Sequence, residues 1–209
     1  MNIIDCIQGS PEWHAARLGK ITASRITDVM ATLKSGGEAA GRKNYRAQLV
    51  VERMTDQTAE SYMNAAMQWG VDNETPAREC YEFLTGVQVE QVGFVNHPAI
   101  PMCGASPDGL VDDDGLVEIK CPNTATHIEY LLSGGVPADY VKQMLWQMAC
   151  TDRKWCDFVS YDPRMPIDLQ LFTVRLLWDD VAIKQIQDAV ILFLAEVDAM
   201  VAKLNGLRK

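Results

Sequence analysis

In this 209-residue chain Asp108, Glu118 and Lys120 combine two carboxylates and an ammonium at intervals suited to catalysis. Asp108 sits in Ser106-Pro107-Asp108-Gly109, and nine residues separate it from Glu118-Ile119-Lys120-Cys121-Pro122. Side chains alternate along a strand, so Glu118 and Lys120 share one face, roughly 6–7 Å apart, while Ile119 points the other way into a core. A hairpin would return Asp108 to the same place. Two carboxylates and an ammonium then converge on one point. Hard oxygen ligands with open positions suit Mg²⁺ or Mn²⁺. A lysine beside such an ion can orient a water and stabilise charge developing on a phosphate, which describes metal-assisted phosphodiester hydrolysis. The bland alternative is a surface hairpin whose Glu and Lys pair across solvent. Pro107 ahead of the aspartate and the apolar residues around Glu118 and Lys120 weigh against it.

Helix caps, glycine stops and alternating stretches mark the elements that carry these residues. Ser10-Pro11-Glu12 is a cap followed by proline at the first helical position, and Gly19 ends that helix. A second helix is expected from Thr22 or Ser24 to about Leu33. Lys34-Ser35-Gly36-Gly37 and Gly41 mark a mobile loop, and a basic helical stretch follows from Arg42 to Met54. The next helix spans about Asn64 to Leu84, with a kink at Pro76 and a stop at Gly86. Val87 to Val95 alternates like a strand. Gly109-Leu110-Val111 and Leu116 to Lys120 flank Asp112-Asp113-Asp114-Gly115 as a hairpin. Helices near 124–132 and 137–150 and strands near 154–161 and 169–177 lead to a closing helix from Asp179 to about Leu204. The spacing predicts one α/β (α+β) domain over residues 1–209, a central mixed β-sheet flanked by helices with a long C-terminal helix. In that helix Ile183, Ile186, Val190, Phe193, Val197, Met200 and Leu204 form a heptad seam, which either packs on the chain's own body or associates with another copy.

Composition narrows the class. Apolar residues make up 48% and charged residues 22%, as in a folded domain with a substantial core, which excludes disorder and collagen-like repeats. The longest apolar run is Ala189 to Ala195, far short of the roughly 20 residues a membrane span needs. Met1 to Ser10 lacks the basic start and unbroken apolar stretch of a signal peptide. The six cysteines are therefore expected to stay reduced in a cytoplasm. A net charge of −9 argues against nucleic acid, but its distribution is uneven: +3 over residues 1–53, −10 over 54–120 and −2 over 121–209. Carboxylates gathered around divalent cations leave room for a basic surface elsewhere. Asp112-Asp113-Asp114-Gly115 is not a calcium loop, because Leu110 and Cys121 stand where an EF-hand needs acidic ligands. His14, His97 and His127 are scattered and no Cys-x₂-Cys occurs, so neither zinc nor an iron–sulfur cluster is expected.

Four blocks, in order, carry a family resemblance: Trp13 to Ser24; Trp69-Gly70 with Glu74; Ser106-Pro107-Asp108-Gly109-Leu110; and Gly115 to Pro122. Tyr140 to Gln143 and Tyr161-Asp162-Pro163-Arg164-Met165 add to them. The chain resembles the phage lambda exonuclease family of the restriction-enzyme-like PD-(D/E)xK nuclease superfamily along nearly its whole length. The resemblance implies a 5′→3′ exonuclease on linear double-stranded DNA. Such an enzyme releases 5′-mononucleotides and leaves a 3′ single-stranded tail for recombination. It also implies two Mg²⁺ per site, with Mn²⁺ able to substitute, held by Asp108, Glu118 and the Ile119 carbonyl. Lys120 would be the catalytic lysine, Glu74 an acidic helical residue acting through metal-bound water or a second metal, and Gln143 a supporting glutamine. Arg17, Ser24 and Ser106 match residues that receive the terminal 5′-phosphate. The family implies a homotrimeric ring and a single-strand annealing protein as partner, in a bacterial host cytoplasm. Gln147, four residues after Gln143, falls outside the motif and is read as structure. Arg42, Lys43 and Arg46 are candidates for DNA contact or an exposed helix start. An endonuclease of the same superfamily and a non-catalytic DNA-end-binding scaffold are the competing readings.

Overall fold

The structure, a computed structural model, describes residues 1–33, 37–58 and 64–208. Lys34-Ser35-Gly36 of the expected loop lies outside the described residues. β1 (Asn2–Ile4) and α1 (Pro11–Arg17) open the chain, and β2 (Ile21–Thr22) leads through a 3₁₀ turn, Ala23–Arg25, into α2 (Ile26–Val29). α3 (Ala40–Thr55) and α4 (Ala65–Thr85) precede five short strands: β3 (Val89–Glu90), β4 (Phe94–Asn96), β5 (Cys103–Ala105), β6 (Gly109–Val111) and β7 (Gly115–Lys120). α5 (Thr124–Ser133) and α6 (Ala138–Thr151) cross to β8 (Trp155–Tyr161), and β9 (Leu171–Leu177) and α7 (Asp180–Asn205) close the chain. The caps follow the sequence. Ser10 accepts the Trp13 N–H, and Asn64, Asn123 and Asp179 cap α4, α5 and α7 in the same way.

The larger sheet runs β3-β6-β7-β8-β9. Its β7–β8 pair is parallel and its other pairs antiparallel, which is why a helical crossover, α5 with α6, joins those two strands. One face carries Leu116 and Phe158 into the main core beneath α6 and α7. The other carries Val117, Ile119 and Val159 against Ala77 and Tyr81 of α4. β7 is therefore covered on both sides, and every residue from Gly115 to Ile119 is buried. A second sheet, β1-β4-β5-β2, adjoins it, and the Trp146 indole of α6 donates to the Gly104 carbonyl of β5 at 3.2 Å.

Two expectations change. The alternation from Val87 to Val95 is not one strand but β3 and β4, in different sheets. The chain switches at Gly93, where a Cβ would lie 2.4 Å from the Ile4 carbonyl oxygen. The second helix ends at Val29 rather than Leu33, because Thr32 instead bridges to Glu38. α4 runs unbroken through Pro76 and ends at Gly86, whose φ of 74° few other residues adopt readily. The heptad seam of α7 packs on the chain itself: Ile183, Ile186, Val190, Phe193 and Val197 are buried. Val181, Ile191 and Leu192 are its most exposed large apolar residues. Among the described residues no helix is long and apolar enough to cross a membrane. All six cysteines are free thiols.

Candidate active site

The site forms where the β6–β7 ladder runs out. The last backbone pair is Gly109 with Val117, so Asp108 and Glu118 come next, opposite each other. One step further, Pro107 would face Ile119. Proline has no N–H to offer the Ile119 carbonyl, and the Pro107 carbonyl is turned to Gln8 Nε2 at 2.8 Å. The Ile119 N–H is taken instead by Asp108 Oδ2 at 2.6 Å. In such a pair the N–H and C=O of a residue point to the same edge. The Ile119 carbonyl is thus aimed toward Asp108 with no ladder donor. Proline before the aspartate has a structural consequence: it opens an oxygen acceptor beside the carboxylates.

Glu118 is fully buried. Its Oε1 accepts from Gln143 Nε2 at 2.5 Å and pairs with Lys120 Nζ, and its Oε2 accepts from Gln147 Nε2 at 2.6 Å. Both glutamines come from α6, one turn apart, as the side chains at i and i+4 of a helix face do. Burial, reinforced by the Glu118 charge and by Glu74, pushes the Asp108 carboxyl well above the usual range, against the pull of Lys120. For Lys120, burial alone would lower the ammonium, but Glu118 and Asp108 outweigh it and hold it raised. The raised Asp108 carboxyl means that its charged form lacks enough counter-charge from Lys120 alone, which a cation would supply.

Glu74 enters from α4, on the other side of the sheet. It is partly exposed, and Arg78 Nη1 lies 3.8 Å from its Oε1, too far for a hydrogen bond. Its charge adds to the upward push on both the Asp108 carboxyl and the Cys121 thiol. The Arg78 side chain is only 12% exposed, and its Nη1 has no hydrogen-bond partner among the described residues.

A second group adjoins the carboxylates through Ser106, two residues ahead of Asp108. Ser106 Oγ accepts from Trp13 Nε1 at 2.8 Å and from Arg17 Nη1 at 3.3 Å, and the guanidinium stacks 3.9 Å above the Trp13 ring. Burial lowers Arg17 to about 10. A guanidinium at that value is still charged at neutral pH, and among the described residues no carboxylate lies within salt-bridge distance of it. Ser24 is exposed on the 3₁₀ turn, within the turn rather than at its cap, and no described hydrogen bond joins it to Arg17 or Ser106. Arg42 and Arg46 are engaged elsewhere: each pairs with both Glu38 and Glu196 at 2.6–2.8 Å, tying α3 to α7. Lys43 is exposed.

The structure thus brings together Asp108, Glu118, Lys120 and Gln143, with Glu74 at the edge and Arg17 with Ser106 alongside. It adds Trp13, Arg78 and Gln147, which the residue pattern did not single out for a role. Gln147 carried a signal, its i+4 spacing from Gln143. That spacing acquires meaning only once the whole face is known to be buried over Glu118. Among the described residues no three His, Cys, Asp or Glu side chains close into a metal cage by themselves. The donor set is two carboxyl groups and a strand-end carbonyl, short of positive charge whenever both carboxyls are ionised. Such a set fits a hard divalent cation that keeps part of its water shell.

Residues 12–154 match the YqaJ-like viral recombinase domain. The chain belongs to the YqaJ-like viral recombinase family. This YqaJ-like chain is similar to the alkaline exonuclease LHK-Exo from Laribacter hongkongensis, with 51% identity over 94% of this chain and 96% of that one and a TM-score of 0.87. The structure of LHK-Exo in complex with dAMP matches at 52% identity over 93% and 96%, again with a TM-score of 0.87. A phage related exonuclease from Haemophilus somnus 129PT is 15% identical over 88% of this chain and 96% of its own, with a TM-score of 0.68, and shares the fold. No curated protein matches the chain. The YqaJ-like assignment agrees with the lambda-exonuclease resemblance read from the four sequence blocks.

Proposed function

We propose that this protein is a Mg²⁺-dependent 5′→3′ exonuclease that digests one strand of linear double-stranded DNA to 5′-mononucleotides, leaving a 3′ single-stranded tail for strand-annealing recombination. That it is a nuclease follows from its family and its likeness to LHK-Exo. The finer reading rests on one observation: a carboxylate–lysine cluster is joined through Ser106 to an arginine with no carboxylate within salt-bridge distance among the described residues. An acidic centre for hydrolysis thus adjoins a cationic pocket for a terminal phosphate.

Asp108, Glu118 and the Ile119 carbonyl would hold Mg²⁺, with Glu74 reaching a second ion or a bound water, and Mn²⁺ can take the same place. The ion supplies an activated water and neutralises charge on the phosphate. Lys120, kept charged by its carboxylate neighbours, acts as a donor to the developing negative charge rather than as a base. Gln143 holds Glu118. Arg17 and Ser106, with Ser24 on the neighbouring turn, receive the 5′-phosphate through charge-assisted hydrogen bonds. This pocket supplies direction, because it fixes which strand enters the acidic centre. The reading extends to a homotrimeric ring around DNA and a single-strand annealing partner in a bacterial cytoplasm, both supported by the family resemblance. Arg42 and Arg46 are less suited to DNA contact than Lys43, since their guanidiniums already bind Glu38 and Glu196.

The test compares linear duplex with closed circular plasmid in Mg²⁺ and in chelator. Digestion of the linear form alone, and only with the metal, is expected. Cutting of the circle would make the enzyme an endonuclease.

A further inference from the structure

We propose that Gln147 is a positioning residue for Glu118, the second half of a two-point clamp that fixes the plane of the carboxylate. The inference rests on the reading of Glu118 as a metal ligand. Gln147 is fully buried on α6, among Met144, Leu145, Trp146, Met148 and Ala149, where an apolar side chain would be the ordinary choice. Its amide carbonyl Oε1 has no hydrogen-bond partner among the described residues. A buried acceptor left unpaired is costly, so packing alone gives no reason for a glutamine here. Its amide nitrogen supplies one: Nε2 donates to Glu118 Oε2 at 2.6 Å.

The division of donors makes the role specific. Gln143 and Lys120 both address Oε1, whereas Gln147 is the donor found on Oε2 among the described hydrogen bonds. With one oxygen tethered, the carboxylate can still rotate about its last bond. With both tethered by amides one helical turn apart, it cannot. Gln147 thereby sets which lone pairs Glu118 presents to a cation. Hydrogen-bond partners of this kind change metal affinity or activity by roughly 10–100-fold when removed.

The experiment measures Mn²⁺ binding to the full-length protein by calorimetry without DNA, alongside kcat and KM on linear duplex. Gln147→Met keeps length and shape and removes the donor. Gln147→Asn keeps the amide but is one methylene too short to reach, and it serves if the methionine variant does not fold. Thermal unfolding of the metal-free protein certifies that each variant is native. Mn²⁺ affinity about 10-fold or more weaker, with kcat reduced and KM for DNA near that of the wild type, is expected. Wild-type Mn²⁺ affinity in a folded variant would overturn the clamp while leaving the metal reading intact. Absence of Mn²⁺ binding by the wild type itself would overturn both.

Discussion

Asp108 accepts the N–H of Ile119 at 2.6 Å, so a side chain closes the β6–β7 ladder where the backbone no longer can. The bond holds the aspartate opposite Glu118. It also forces two carboxylates into one buried site with Lys120 as their immediate counter-charge. That arrangement is poor for stability and useful for binding a cation, and the two consequences can be measured separately.

The stability consequence is a matter of sign. The folded-state pKa of Asp108 is raised, by burial first and by Glu118 second. The raised value means that Asp108 costs the metal-free fold stability at neutral pH, and this loss fades as pH falls toward the unfolded value of 3.8. Asp108→Asn keeps an oxygen for the Ile119 N–H and removes the charge. Differential scanning calorimetry in chelator should show a Tm higher by roughly 2–4 °C at pH 7, the response to about 1 kcal/mol in a domain of this size. The gain should shrink near pH 4. An unchanged or lower Tm at pH 7 would count against a strained carboxylate pair.

Lys120 and Glu118 should separate chemistry from metal binding. Lys120→Ala is expected to lower turnover by about 10²–10³, as loss of a transition-state donor does, while calorimetry still detects Mg²⁺ or Mn²⁺ binding. Glu118→Ala should lose metal affinity as well. Near-wild-type turnover of the lysine variant, or unchanged affinity of the glutamate variant, would remove the corresponding role.

Much of this was legible in the sequence because it is local. The hairpin from Gly109 to Lys120 places Asp108 against Glu118 by counting alone, and the alternation puts Ile119 in the α4-side core as expected. The caps Ser10 and Asn64 and the stop Gly86 bound their helices within a residue or two. What was not legible depends on partners far away in the chain. Nothing between Val87 and Val95 reveals that β3 joins β6 while β4 joins β1 and β5. Gln147 reads as structure until α6 is laid over Glu118. The stacking of Arg17 on Trp13 is within helical reach, but Ser106 joins them from 89 residues away.

Arg17 carries the prediction about DNA ends. Wild-type enzyme should digest 5′-phosphorylated duplex faster than 5′-hydroxyl duplex, and Arg17→Ala should slow the phosphorylated substrate and largely erase the preference. A charge-assisted contact of this kind is worth roughly 1.5–3 kcal/mol, about one to two decades in rate if expressed in the transition state. Salt must be fixed, because DNA affinity moves with it. A mutant that keeps the full preference would place the end sensor elsewhere.

The proposed ring has a mass to match. Since most of the α7 seam is buried within its own chain, association must use other surfaces. Light scattering at micromolar concentration should give about three times the 23.3 kDa chain mass. A monomer under those conditions would remove the ring and leave the chemistry standing.

The direction of digestion is read from the order in which label leaves a linear duplex. One strand is labelled at its 5′-phosphate in one sample and at its 3′ end in another, and both are digested in Mg²⁺ with products resolved by size. Immediate release of the 5′ label as a mononucleotide is expected, with the 3′ label released only as digestion reaches that end. Early release of the 3′ label as mononucleotide would reverse the direction of digestion, and release of the 5′ label in fragments of many sizes would make the enzyme an endonuclease.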